Sequence, residues 1–165
     1  MKSKNLIIVF FLLSQQVILA QDYSYKPKYS RILDSTKGSP ILHQCSRATP
    51  QKVETFWNPT QSDIDSLEKN LKKVLTLKAD QCCLMGNSVS FIEKYGLQYI
   101  GVMIKKKKYI YINAFYISSD ESIETRYNYW KTSPVYACDG GKGFWGVLYD
   151  IENSTFEQLA FNRIG

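Results

Sequence analysis

The side chains that could do chemistry are few: one histidine, His43, four cysteines, and acids in two groups. A Ser-His-Asp or Cys-His site would have to use His43. It lies in a stretch rich in Ser, Thr and Pro, and no H-E-x-x-H, G-x-S-x-G or P-loop pattern supplies partners for it. The acids gather as Asp120, Glu121 and Glu124, and as Asp139, Asp150 and Glu152. Paired carboxylates can hydrolyse glycosides or bind calcium. Neither group follows the alternating acids and Gly turn of a calcium loop, so turn-forming Asp and solvated Glu are the expectation. Gly141-Lys142-Gly143-Phe144-Trp145-Gly146 fits G-x-G-x-x-G. A phosphate cradle needs a helix after the glycines. A β-prone run follows here, so a hairpin and bulge are expected. The sequence therefore assigns no catalytic residue, no cofactor and no metal ligand.

The cysteines are Cys45, Cys82, Cys83 and Cys138. Lys2 and Lys4 precede an unbroken apolar run, Leu6 to Leu13, and Ala20 stands before Gln21. This is secretory signal-peptide anatomy over residues 1–20, too short for a membrane span. No second long apolar run follows, so no span is expected after signal removal. The reading places the protein in a secreted or periplasmic setting, where an even cysteine count suggests disulfides. Pairing the adjacent Cys82 and Cys83 would strain their linking peptide. Two pairings stay open: Cys45–Cys82 with Cys83–Cys138, or Cys45–Cys83 with Cys82–Cys138. Zinc is not expected, since there is no C-x-x-C pair and a single histidine.

What remains is binding chemistry. The net charge is +6, and Lys2 and Lys4 leave with the signal peptide. The one basic cluster is Lys105-Lys106-Lys107-Lys108, flanked by strand-like runs. It reads as a hairpin tip or edge guard, so nucleic acid is not the expected partner. Aromatic residues make up 14% of the chain, and most must be core. Tyr127, Tyr129 and Trp130 lie beside charges in the polar stretch 118–133 and are candidate anchors for a protein or glycan partner. The alternative for Trp130 is that it closes one end of the core. Asp139, Lys105 and Lys107 are the candidate polar contacts. Asn153-Ser154-Thr155 is a glycosylation sequon, relevant only in a eukaryotic secretory pathway.

Several elements must position these groups. Residues 21–52, punctuated by Pro27, Pro40 and Pro50, read as an irregular lead-in. Thr60 is a good N-cap, and Ile64, Leu67, Leu71, Val74 and Leu75 fall on one face, which predicts an amphipathic helix over 61–78. Gly86-Asn87 breaks the chain. Strands are expected over 97–104, 109–117, 135–138, 143–149 and 155–161. The class is α+β: residues 53–165 form a single domain, with one main amphipathic helix on a curved antiparallel meander of four to five strands, a cystatin-like arrangement.

Several short motifs carry a resemblance. They are Trp57-Asn58-Pro59-Thr60, Gln98-Tyr99-Ile100-Gly101, Tyr111-Ile112-Asn113-Ala114-Phe115, Cys138-Asp139-Gly140-Gly141, Phe144-Trp145-Gly146-Val147 and Leu159-Ala160-Phe161-Asn162. In their order the chain resembles a set of small, exported, functionally uncharacterised bacterial proteins. The resemblance implies a single exported domain and brings no activity, cofactor or catalytic residue. The expected function is an exported, non-catalytic binding domain: an inhibitor, an immunity-like protein or an envelope accessory factor. The alternatives are a small secreted hydrolase using carboxylates near Asp139, and a structural or assembly protein.

Overall fold

Local chemistry sets the longest helix among the described residues. In the computed structural model, which describes residues 24–165, Thr60 caps α2 (Gln61–Asn70). The Thr60 side chain accepts from the Asp63 backbone N–H at 3.3 Å, and the Asp63 carboxylate accepts from Thr60 N–H at 2.8 Å. This reciprocal box satisfies two donors that the helix ladder cannot reach. The α-helix ends earlier than its apolar stripe predicts and continues as a 3-10 helix, Leu71–Thr76. Asn70 donates its side-chain amide to the Ser66 carbonyl, and Thr76 its hydroxyl to the Lys73 carbonyl. Such local bonds compete with the regular ladder. The stripe itself holds: Ile64, Leu67, Leu71 and Val74 are buried.

Among the described residues the sheet has six strands: β1 (Ser30–Ile32), β2 (Val53–Trp57), β3 (Tyr95–Ile104), β4 (Lys107–Tyr116), β5 (Phe144–Asp150) and β6 (Thr155–Phe161). β3 to β6 form an antiparallel meander. The outer edge of β3 is shared by two short strands. β1 runs parallel beside Leu97–Tyr99, and β2 runs antiparallel beside Gly101–Ile104. The molecule is therefore α+β with a mixed, mostly antiparallel sheet. The lead-in expected to be irregular supplies β1 and a short helix, α1 (Gly38–Leu42). The β3–β4 turn is Lys105-Lys106, both at positive φ (51° and 61°), the handedness that two-residue hairpins need. A further short helix, α3 (Asp120–Thr125), lies between β4 and β5. The expected strand over 135–138 is absent; that segment pairs with no strand.

Both faces of the sheet are covered. One packs Leu97, Tyr99, Ile112, Trp145, Val147 and Phe161 against Ile64, Leu67, Leu71 and Val74. The other carries two smaller clusters. Ile100, Val102, Tyr111 and Leu148 meet Leu33 and Ile41, and Phe115 and Phe144 meet Ile123, Tyr127, Trp130 and Val135. Burial on both sides explains why β4 reads as apolar on both of its faces.

The cysteine pairing corrects both expected pairings. Cys45 joins Cys138, with Cα atoms 5.0 Å apart, and Cys82 joins Cys83 across a cis peptide. The Cys45–Cys138 separation lies within bridging reach, because the chain around Cys45 is drawn beneath the segment that ends at Cys138. The expected signal peptide, residues 1–20, lies outside the described residues. Among the described residues no helix is long and apolar enough to cross a membrane.

Candidate functional site

Two amides stand among the buried apolar side chains in the middle of the sheet. Gln98 of β3 and Asn113 of β4 are register partners, and Gly146 of β5 stands opposite Asn113. Asn162 follows directly after β6. All three amide side chains are essentially inaccessible to solvent, at 0%, 1% and 0%. A buried amide must find partners for both its oxygen and its nitrogen. These find them in the irregular segment 129–140, which crosses the sheet face not covered by α2.

The bonds form a closed set. Gln98 donates to the carbonyls of Trp130 (2.6 Å) and Ser133 (2.8 Å), and its oxygen accepts from Val135 N–H (2.9 Å) and from Asn113 (2.9 Å). Asn113 donates also to the Val135 carbonyl at 3.0 Å. Asn162 donates to the carbonyls of Ala137 and Asp139. The remaining oxygens, on Asn113 and Asn162, accept from the Arg47 guanidinium, the second at 3.0 Å. The third Arg47 donor, Nε, reaches the Tyr111 hydroxyl at 3.3 Å. Because Arg47 can only donate, it fixes each Asn with its oxygen toward the guanidinium and its nitrogen toward the segment. Side-chain amides thus do for 130–139 what a neighbouring strand would do. Gly146 makes room: a Cβ there would collide with the Tyr111 hydroxyl.

Arg47 is itself buried, at 6% exposure. Among the described residues it has no ion-pair partner. Its charge is held by neutral oxygens alone, in a network whose members depend on one another.

Held this way, the segment turns Trp130, Pro134 and Val135 inward and Tyr129, Lys131, Thr132, Tyr136 and Asp139 outward. Tyr129 is 41% exposed and Tyr136 45%. The Tyr136 hydroxyl donates to the Pro40 carbonyl at 2.9 Å. Burial is the first cause raising the Tyr136 hydroxyl above its ordinary value, with Tyr129 nearby the second. The Cys45–Cys138 bridge ties the far end of the strip to the lead-in.

The residues singled out from sequence do not form one site. Tyr127 and Trp130 are core, at 4% and 5% exposure, which corrects Tyr127 as an exposed anchor and, for Trp130, bears out the alternative that it closes one end of the core. Their rings pack edge-on or tilted against Phe115, so neighbouring charges in the sequence did not keep them at the surface. Tyr129 and Asp139 lie on the strip. Lys105 and Lys107 stand at the opposite end of the sheet. Lys107 is held there by Asp150 at 2.6 Å and Glu152 at 3.4 Å. Sequence reasoning missed Arg47, Gln98, Asn113, Tyr136 and Asn162. Gln98 and Asn113 left a signal, as uncharged polar residues inside strand patterns apolar on both faces. Nothing around Arg47 marks it as buried.

A concavity lies beside β1. It is a cleft of about 520 Å³ between the lead-in and α2, lined by Lys26, Ser30, Arg31, Asp65, Glu68 and Tyr99 among others. The Tyr99 hydroxyl donates to Glu68 Oε1 at 3.2 Å. Burial raises the Glu68 carboxyl above the ordinary carboxylate range, against the pull of the Tyr99 hydrogen bond and Lys26. Among the described residues no group of three or more His, Cys, Asp or Glu side chains could hold a metal ion. His43 is exposed at the end of α1. The chain matches no family model, no curated protein and no solved structure.

Proposed function

We propose that this chain is an exported, non-catalytic binding domain, and that the strip 129–140 is the surface that engages its partner, a protein or a glycan. One observation carries the reading. Three buried amides and a buried arginine hold an irregular, outward-facing segment in place where simple apolar packing would have closed the core. Buried polar groups are destabilising unless fully satisfied. An arrangement that satisfies them for the sake of one segment makes sense if that segment's shape is used. A rigid strip presenting Tyr129 and Tyr136 loses little conformational freedom on binding, and tyrosines combine an apolar ring with a polar tip. Loops held by a rigid scaffold are where binding concentrates.

Two disulfides, together with the apolar run Leu6 to Leu13 behind Lys2 and Lys4, support a secreted or periplasmic setting. The resemblance to exported bacterial proteins points the same way. The order of α2 followed by β3 to β6 supports the cystatin-like comparison, which is a proposal about arrangement and not about partner.

The test is capture by the oxidised protein from its own organism's envelope and secreted fractions, read by mass spectrometry, beside the Tyr129→Ser/Tyr136→Ser variant. A saturable partner lost in a variant of unchanged melting temperature supports the strip. A partner retained by that variant sinks it. A turnover activity abolished by Asp139→Asn, with the fold intact, would replace the binding reading with a hydrolytic one.

A further inference from the structure

The Cys82–Cys83 bridge lies outside the strip and its network, yet the peptide group between the two cysteines is bonded to the roots of both. The Cys82 carbonyl accepts from the Ala48 N–H at 2.9 Å, and the Cys83 N–H donates to the Phe161 carbonyl at 3.0 Å. A third bond, from the Arg163 N–H to the Ser46 carbonyl at 3.2 Å, joins the two segments directly. These residues flank the polar groups at the centre of the network. Arg47 stands between Ser46 and Ala48, and Asn162 between Phe161 and Arg163. Neither 45–50 nor 162–165 is helix or strand, so no ladder holds them. Among the described residues, the bonds to Cys82 and Arg163 are the backbone bonds that seat 45–50. Together with the Cys45–Cys138 bridge they set where the Arg47 guanidinium meets Asn162.

Joining neighbours in sequence closes a ring that contains their own peptide group, so the bridge fixes the backbone on both sides of it. Opening the ring frees those dihedrals, and both bonds of that peptide weaken together. Reduction also turns the Cys83 sulfur, 3.6 Å from the Ser46 carbonyl, into an S–H donor that competes with the Arg163 N–H for that oxygen. The loop around the ring keeps bonds of its own, from the Ala79 N–H to Asn87 and from the Gly86 N–H to Ala79. The loosening therefore runs toward 46–48 and 161–163. Cys82 is exposed and Cys83 half-buried, so Cys82 is the half of the bridge open to a reagent. We infer that Cys82–Cys83 is a redox-operated clamp on the Arg47 network: closed, it holds the strip rigid; open, it lets the strip move. The reductant is a dithiol. One of its thiolates attacks the Cys82 sulfur, the S–S bond breaks and Cys83 leaves as a thiolate; the second thiol then displaces Cys82. Two electrons pass to the protein, the dithiol ends as a disulfide, and its two protons end on Cys82 and Cys83. The Cys45–Cys138 bridge is backed by the Asn162 bonds to Ala137 and Asp139, which keep its sulfurs opposed if it is cut, so it recloses. Control of partner binding by the clamp rests on the strip being the binding surface; the clamp itself does not.

The experiment is amide hydrogen exchange on the oxidised protein as dithiothreitol is added in steps, with free thiols alkylated and mapped by mass spectrometry. Cys82 and Cys83 should become alkylatable while Cys45–Cys138 stays closed and Ile112 keeps its native protection. In that state Ala48 and Val135 should exchange about tenfold faster than before, a change the size of one hydrogen bond's hold. Reoxidation should restore them. Cys82→Ser/Cys83→Ser keeps the Cys45–Cys138 bridge and cannot close the ring. It should show the faster exchange at Ala48 and Val135 without reductant. The inference is overturned if Cys82 and Cys83 react only after Cys45–Cys138 has opened or Ile112 has lost protection. It is overturned equally if Ala48 and Val135 are unmoved with both thiols free, or if the variant exchanges like the oxidised parent. Should the variant fail to fold, the stepwise reduction of the unaltered protein decides. The readout needs no partner, so failure of the clamp and failure of the binding surface are seen separately.

Discussion

The two faces of the sheet are closed by different means. On one, α2 and its 3-10 extension meet Leu97, Ile112, Val147 and their neighbours through apolar contact. On the other, the chain between β4 and β5 crosses without forming a strand, and the sheet answers with Gln98 and Asn113, joined by Asn162 just beyond it and Arg47. A helix satisfies its own backbone, so the surface beneath it can be purely apolar. An irregular segment cannot, and buried backbone polar groups must be paired. Its cover therefore lies on side chains that supply donors and acceptors at fixed points. The apolar face should tolerate conservative change in volume, whereas the polar face should fail when one partner is lost, since each deletion strands several others.

The sharpest way to break this comparison is Arg47→Met. It keeps the apolar stem and removes three donated hydrogen bonds, leaving the Asn113 and Asn162 oxygens without that donor. The expected loss is about 4 kcal/mol by urea denaturation. A loss below about 1 kcal/mol would mean the guanidinium is not the centre of the network. Gln98→Leu comes next, at about 2–3 kcal/mol, because it strands two carbonyls and the Val135 N–H. On the opposite face Leu67→Met should change stability by less than about 1.5 kcal/mol in the same assay. A Leu67→Met loss as large as that of Gln98→Leu would erase the distinction.

Removing the Cys45–Cys138 bridge by Cys45→Ala/Cys138→Ala should lower stability by about 2–4 kcal/mol and raise proteolysis near 138–140 first. Cleavage beginning instead in α2 would count against local anchoring.

The smallest effect has a sign of its own. Burial holds the folded-state Glu68 carboxyl above its ordinary value. The folded state therefore binds this proton more tightly than the unfolded chain does. The favourable term is fully present below the ordinary carboxylate range and is lost as pH rises through the raised value. Glu68→Gln does not ionise and should melt higher than the parent at pH 7.5, with the gap closing toward pH 3.5. A variant less stable at pH 7.5 would show that the Glu68 charge is already well compensated.

Much of this fold was legible in the residues. The stripe from Ile64 to Val74 and the strand patterns of β3 to β6 follow from periodicity, and Thr60 marks the helix start. β1 and β2 were not legible, because three and five residues of mixed polarity become strands only by pairing with β3. Val135-Tyr136-Ala137-Cys138 has strand composition, yet its backbone partners are side chains, which no local pattern encodes. Tyr127 and Trp130 sit among charges in sequence but face inward, since the segment 118–133 turns through α3 and packs on Phe115. Of the strip, Tyr129 and Asp139 could be picked out. Arg47 could not, because a cation buried against neutral oxygens looks in sequence like any surface arginine.

The central claim is that the strip is as rigid as the sheet and that the amide–guanidinium network makes it so. Hydrogen exchange at the Val135 amide, which donates to Gln98, tests it most directly. The account predicts that Val135 exchanges as slowly as the strand amides of β4 in the native protein. In Arg47→Met it should speed up by about 100-fold beyond the change at Ile112, as a local opening would. Val135 exchanging at the rate of an exposed loop in the native protein, or in step with Ile112 in the variant, would contradict it.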